Sequence, residues 1–359
     1  MGPILAGAVA LLQAVVTFAA LDARWIAAFD TPPSAPAGFD DGAAYVPLKG
    51  GTLVAVDLER GTVRWTITLA TSLTPATGDG LVFTASEGVI RAFDRETGAE
   101  RWRTPLPGGA AAPLYWDTGW LVASTTAGDL AAFRATDGAL IWRQALGSPL
   151  SAQPAPALDR LYLGLADGRL LSVSLATGDT LWSRQLAGRV TGLLALDDQL
   201  VFGTSTRDVT SAGLTNGRNR WTWKVGGDVA GLPSADERHI YFAARDNVLR
   251  AVDRRSGNLR WKASLASRPS GGPIPVNQVI VVPFISSEMA GFDPATGAPA
   301  ITLTAAGEIG AQPFLRQVSR VTAPRLITVS RDGKLQGFGL RFELPPAPLA
   351  DLPGSPAVP

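Results

Sequence analysis

Few side chains in this 359-residue sequence could do chemistry, and their spacing decides against most of it. The one histidine, His239, stands in DERHIYFA at the entry to a β-rich run. A lone histidine cannot build a histidine metal site, and a nucleophilic triad needs a Ser and an Asp gathered around it. The chain has no cysteine, which removes thiolate metal sites, a cysteine nucleophile, disulfides and a lipid-modified N-terminal cysteine. Carboxylates stand side by side at Asp40-Asp41 and Asp197-Asp198, and singly at Asp57, Asp94, Asp253 and Asp293. Paired acids suit glycoside hydrolysis, but adjacent positions on a hairpin turn do not aim two carboxyl groups at one substrate. Both pairs read as turn residues in the phase of Asp79-Gly80, and the single aspartates also recur in phase. No residue is assigned a catalytic, metal-binding or cofactor-binding role, and no enzyme activity is expected.

The elements that position these residues are set by a repeat. Tryptophan recurs at Trp25, Trp65, Trp102, Trp142, Trp182, Trp221 and Trp261, in steps of 37 to 40 residues. A turn glycine precedes six of them by four residues, at Gly61, Gly98, Gly138, Gly178, Gly217 and Gly257, and Gly297 continues the series. Proline keeps the same register at Pro36, Pro75, Pro113, Pro154, Pro233, Pro273 and Pro313, with one repeat skipped. A period of about 40 residues is that of a propeller blade. Within one repeat, Leu81 to Thr84 is a β-rich run after an Asp-Gly turn, and Val89 to Phe93 is a second run. Asp94 to Gly98 closes it with a turn whose glycine suits positive φ. Ala99 to Trp102 is the outer strand. With a short inner run near Pro75, each repeat supplies four antiparallel strands.

The third strands begin near Thr52, Val89, Asp129, Arg169, Asp208, Val248, Glu288 and Lys334, which makes eight blades. The last copy has no tryptophan after it, and Trp25, in ARWIAAFD, has no strands before it. The expected fold is therefore all-β, an eight-bladed β-propeller whose last blade is closed by the N-terminal strand. Closure removes the exposed edges of an open sheet. Each tryptophan is expected to reach the turn of a neighbouring blade and give its indole N–H to a backbone carbonyl.

Outside the repeat, residues 3–20 are almost wholly apolar and read as an export signal or N-terminal anchor. The expected organisation is a leader at 1–21, a propeller at 22–342 and a Pro-rich tail without regular structure at 343–359. A formal net charge of +1 with 18% charged residues lacks the electrostatic footprint of a nucleic-acid binder. A monomer is expected, touching membrane only through the leader.

The segments GTLVAVDLERGTVRW, GVIRAFDRETGAERW and NVLRAVDRRSGNLRW resemble the repeats of pyrroloquinoline-quinone-type propellers. In length and blade number the chain is similar to the outer-membrane assembly factor BamB family. That resemblance implies a non-enzymatic periplasmic scaffold whose partner is the barrel subunit of the assembly machinery, reached through exposed turns on one face. The lipid-anchoring cysteine of that family is missing here. The other branch of the repeat family, the quinoprotein dehydrogenases, implies long insertions, a Ca²⁺ site and commonly a vicinal cysteine pair. This chain has short inter-repeat segments and no cysteine. A quinone-binding or dehydrogenase-like propeller is the alternative, and a tethered ligand-sensing propeller a second one.

Blade five departs most from the repeat. Its turn replaces the aspartate with Gly213 and Thr-Gly with Asn216-Gly217, its outer strand adds Trp223, and its inner strand lacks the proline. Leu214, Asn216 and Arg218 there, with Arg254 and Arg255 at the next blade's turn, are the candidate partner surface, with Leu214 expected to be exposed. Trp116 and Trp120 lie outside the docking series; one covers a hairpin, or the two form an exposed stacking platform for a ligand.

Overall fold

The computed structural model describes residues 21–276, 278–316 and 325–340. Residues 1–20 of the expected leader and the whole of the expected tail lie outside these. The described chain is all-β and forms eight four-stranded antiparallel sheets. Blades 1 to 7 occupy residues 38–68, 76–105, 115–145, 155–185, 190–224, 229–264 and 274–304. Blade 8 takes its three inner strands from the C-terminal part and its outermost from Leu21–Ala28. That strand pairs antiparallel with Lys334–Leu340, setting Ala28 opposite Lys334 and Leu21 opposite Leu340. The propeller therefore takes in Leu21, one residue more than expected. Third strands begin at Thr52, Val89, Asp129, Arg169, Asp208, Val248, Glu288 and Lys334, the eight positions read from the repeat.

The burial pattern follows from position in the blade. The second and third strands are covered on both sides by neighbouring blades, so Ala43–Leu48 and Gln199–Thr204 are buried along their whole length. Outer strands such as Glu100–Pro105 alternate exposed and half-buried residues. The core lies between blades. Leu130 and Val122 of blade 3, for example, pack with Leu161, Leu163 and Leu171 of blade 4.

In four blades a proline accompanies a short inner strand. Pro75, Pro154, Pro273 and Pro313 each stand immediately before an inner strand of three residues, where a residue without an N–H ends the ladder. Blade 5 has no proline there, and its inner strand runs for six residues, Val190–Ala195. In blade 6 Pro233 falls inside an irregularity between Ala230 and Ser234, and the inner strand spans seven residues, Val229–Ala235.

Two kinds of turn share one face of the disc. The turn after the third strand hydrogen-bonds the turn after the first, as in Leu58 N–H to Gly42 O (2.9 Å), Arg95 N–H to Gly80 O (3.1 Å) and Arg254 N–H to Arg238 O (2.8 Å). This turn face carries the candidate site.

Candidate partner-binding groove

Seven of the eight blades carry the docking tryptophan, and blade 7 has Ile301 in its place. Each tryptophan donates its indole N–H to a carbonyl in the next blade's turn. The pairs are Trp25 to Leu58 (3.2 Å), Trp65 to Arg95 (2.9 Å), Trp102 to Ala135 (3.0 Å), Trp142 to Leu175 (2.8 Å), Trp182 to Leu214 (2.9 Å), Trp221 to Arg254 (3.3 Å) and Trp261 to Pro294 (2.9 Å). The turn glycine lies flat on the same ring. Gly98, at φ +71°, would place a Cβ 2.8 Å from the Trp65 indole. Gly61, Gly138, Gly178, Gly217, Gly257 and Gly297 repeat both the positive φ and the contact. Only glycine meets both demands without strain.

The turn aspartates are clasps. Asp94 accepts the Glu96 and Thr97 amides and an ion pair from Arg101 at 2.6 Å. Asp253 takes the Arg255 and Ser256 amides and Arg260 at 2.6 Å. The Arg101 and Arg260 guanidiniums, helped by those amides, hold the two carboxyls well below the usual carboxylate range. In each case the arginine immediately precedes the docking tryptophan.

Blade 5 breaks this pairing, and a groove results. Gly213 stands where the turns of blades 1, 2, 6 and 7 have Asp57, Asp94, Asp253 and Asp293 and those of blades 3 and 4 have Arg134 and Ser174. Blades 3 and 4 have Ile141 and Leu181 in place of the arginine, whereas Arg220, the residue before Trp221, is present and has no carboxylate in its own turn. It reaches Asp198 instead, at 3.1 Å, and also donates to the Asp198 carbonyl at 2.8 Å. Arg254 of blade 6 ion-pairs with Asp197 and Asp198 together. Its own carbonyl receives both the Trp221 indole and the Gln199 amide, the latter at 3.1 Å. Gln199 is fully buried and in turn accepts from Ser211. Partial burial opposes the charge on Asp198, but the Arg254 and Arg220 guanidiniums outweigh it and lower its pKa.

Around this crossing lie two recesses that share Asp197 and Asp198. One, of about 810 Å³, is lined by Glu237, Arg238, His239, Asp253, Arg254, Arg255 and Arg260 among others. The other, of about 420 Å³, is lined by Leu158, Leu214, Asn216, Arg218 and Arg220 among others. All five residues singled out in the sequence thus border one continuous surface across blades 4 to 6. Asn216, Arg218 and Arg255 are exposed. Asn216 accepts the Arg218 amide at 2.9 Å, as Thr97 and Ser256 accept the Ala99 and Asn258 amides in their turns.

Three expectations need correction. Leu214 is only 6% exposed, because it occupies the docking position and packs in the core between blades 4 and 5 while its carbonyl receives Trp182. The two aspartate pairs are not in the same phase. Asp40 flanks its turn as Asp236 does, and both accept turn amides and a tyrosine hydroxyl, from Tyr45 at 2.8 Å and Tyr241 at 2.5 Å. Asp197 and Asp198 form the turn itself, one residue later, and project outward. Trp116 and Trp120 form no exposed platform: both are half-buried, in different inter-blade cores, and Trp116 covers Gly78 and donates to Asp79 at 3.2 Å.

Leu158 was missed. It is 75% exposed at φ +59°, in the turn position that Asp79 holds in blade 2. A bulky residue at positive φ is uncommon, yet in the sequence Leu158 reads only as a continuation of its apolar strand. His239 stands 3.3 Å from both Asp236 and the Tyr241 hydroxyl. Among the described residues no group of three or more His, Asp or Glu side chains could hold a metal ion.

Fold and repeat together define a tryptophan-docked, eight-bladed propeller of the pyrroloquinoline-quinone-like class. The profile of the family described as "Outer membrane protein assembly factor BamB" matches residues 86–222 and 166–331, and the chain belongs to that family. A relative with that name from Nitrosomonas eutropha is 29% identical over 157 residues, covering 42% of this chain and 38% of the relative. The chain spans only 38–51% of the length of the curated relatives it matches. Among solved structures, BamB from Moraxella catarrhalis superposes with a TM-score of 0.72 at 18% identity, over 89% of this chain and 100% of that one. The quinohemoprotein alcohol dehydrogenase from Comamonas testosteroni gives a TM-score of 0.72 at 12% identity, over 91% and 78%. At such identities these two likenesses speak for the fold alone.

Proposed function

We propose that this protein is a non-enzymatic interaction scaffold of the cell envelope, serving the assembly of outer-membrane proteins. Its partner in this reading is the barrel subunit of the assembly machinery. Family membership over residues 86–331 carries the proposal. The turn face of blades 4 to 6 supports it. Leu158 stands exposed there beside Asn216 and Arg218, with Arg238 and Arg255 exposed on the adjoining recess, an apolar and arginine-rich composition that suits a protein interface. The groove side chains are engaged mainly with one another, as in the Arg254, Asp197, Asp198 and Arg220 crossing. Residues 1–20 serve in this reading as the export signal or anchor, and the propeller acts as a monomer.

The test is an affinity pull-down of the tagged protein from its native envelope, with mass spectrometry of what co-purifies. A barrel-assembly subunit is the expected companion. A preparation carrying only the bait would overturn the reading, and quinone and calcium binding would then be measured on the same material.

A further inference from the structure

The groove has a charge pattern that the fold does not need. Its two recesses are lined by six arginines, Arg218, Arg220, Arg238, Arg254, Arg255 and Arg260, against four carboxylates, Asp197, Asp198, Glu237 and Asp253. Three of those carboxylates are committed. Asp253 holds Arg260, and Asp197 and Asp198 hold Arg254 and Arg220. Arg218, Arg238 and Arg255 form no ion pair among the described residues, and all three are exposed. Elsewhere on the same face Arg64 is matched by Asp57 at 2.8 Å and Arg101 by Asp94 at 2.6 Å. Arg60 stands alone there without an ion pair among the described residues, so the groove differs in gathering three such arginines. The chain as a whole carries a formal charge of only +1. The groove is therefore a local cationic excess on a nearly neutral molecule.

We propose that this groove binds an extended acidic segment of a protein partner. Arg238 and Arg255 take its carboxylates on the blade 6 side, Arg218 takes one on the blade 5 side, and Leu158 contacts an apolar side chain at the blade 4 end. Guanidinium forks match carboxylates in a bidentate way, which gives register as well as attraction. The interleaved Asp197, Asp198 and Glu237 would repel a continuous polyanion at each step, so a peptide with spaced carboxylates fits better than a nucleic-acid backbone. Leu158 points the same way, since a phosphate backbone has no use for an exposed leucine. This proposal rests on the scaffold reading above and names the chemistry of the partner's contact segment.

The probe is a fluorescein-labelled short peptide alternating Glu and Leu, followed by fluorescence anisotropy against the full chain. Its Gln-for-Glu counterpart and an oligothymidylate of equal charge serve as comparators. The acidic peptide should bind at least about tenfold tighter than the Gln peptide and weaken as salt rises. The double variant Arg238→Ala/Arg255→Ala should lose at least about tenfold, while Arg60→Ala, which removes a cation from the same face of blade 1, should change nothing. Unchanged stability of the double variant in denaturant would show that it folds. Equal binding of both peptides, wild-type binding by the double variant, or no binding at all would each overturn the proposal. Preference for the oligonucleotide would overturn it too and reassign the groove to phosphates. Because the scaffold reading is judged by the wild-type pull-down, its failure is separable from failure of the peptide to bind.

Discussion

The junction between blades 1 and 2 and the junction between blades 5 and 6 are built from the same parts, and only one of them opens a groove. Each has a tryptophan docked on an arginine carbonyl, Trp65 on Arg95 and Trp221 on Arg254. Each has an Asp-Asp pair in the first turn of its leading blade. At the first junction Asp40 is consumed by its own turn and by Tyr45, Arg64 is held by Asp57 and reaches Glu96 of the next blade at 3.3 Å, and Arg95 pairs with the same Glu96. At the second, Gly213 frees Arg220, the aspartate pair falls one residue later, and Arg254 crosses to the preceding blade. The backbone docking is indifferent to these substitutions. The face is not, because side-chain pairing there depends on which turn position each carboxylate holds.

The largest expected effect tests the half that the two junctions share. Trp65→Ala and Trp221→Ala should each destabilise the protein by about 3–5 kcal/mol, the cost of removing a packed aromatic, with the indole hydrogen bond lost as well. Denaturant unfolding of the two variants should give similar losses; a small effect at one junction only would break the equivalence. The next test addresses the difference. Arg254→Ala removes the partner of two carboxylates and should cost about 1–2 kcal/mol, whereas Arg95→Ala removes an exposed pair and should cost under about 0.5 kcal/mol. Equal losses would mean that the Arg254 crossing contributes no more than a surface pair.

The smallest effect is a pH dependence. Asp198 has a lowered pKa in the folded state, so its contribution is present above the unfolded value of about 3.9 and fades as pH falls from there through the lower folded value. Asp198→Asn should flatten the acid limb of the stability curve. The same substitution made in Arg254→Ala should flatten it less, since one of the two guanidiniums that lower the pKa is then gone. Thermal melts from pH 6 down to pH 3 would show this, and equal flattening in both backgrounds would assign the shift to Arg220 alone.

Much of the fold was legible because its determinants are local and periodic. The start of every third strand, the turn glycines under each indole and the closing role of Trp25 all follow from residues in phase. The site was legible only in part. Arg218, Arg254 and Arg255, which border the proposed groove, stand out in the sequence because blade 5 departs from its own repeat. Leu214 reads as exposed in the sequence and is buried, since a leucine in a polar turn looks the same whether it faces solvent or the next blade. The aspartate pairs read as one phase because a one-residue offset in a two-residue turn leaves little trace in a string of letters. Leu158 was invisible, its positive φ being a property of the backbone.

The sequence by itself determined the blade count, the docking ring and the closure, since a hydrophobic and glycine period compels a similar local unit in blade after blade. Only the tertiary structure decided which charges meet. Arg254 and Asp197 are 57 residues apart, and they become partners because ring packing sets successive turns side by side on one face. Ionic contacts at that range depend on which way each side chain projects, and a single turn position reverses it.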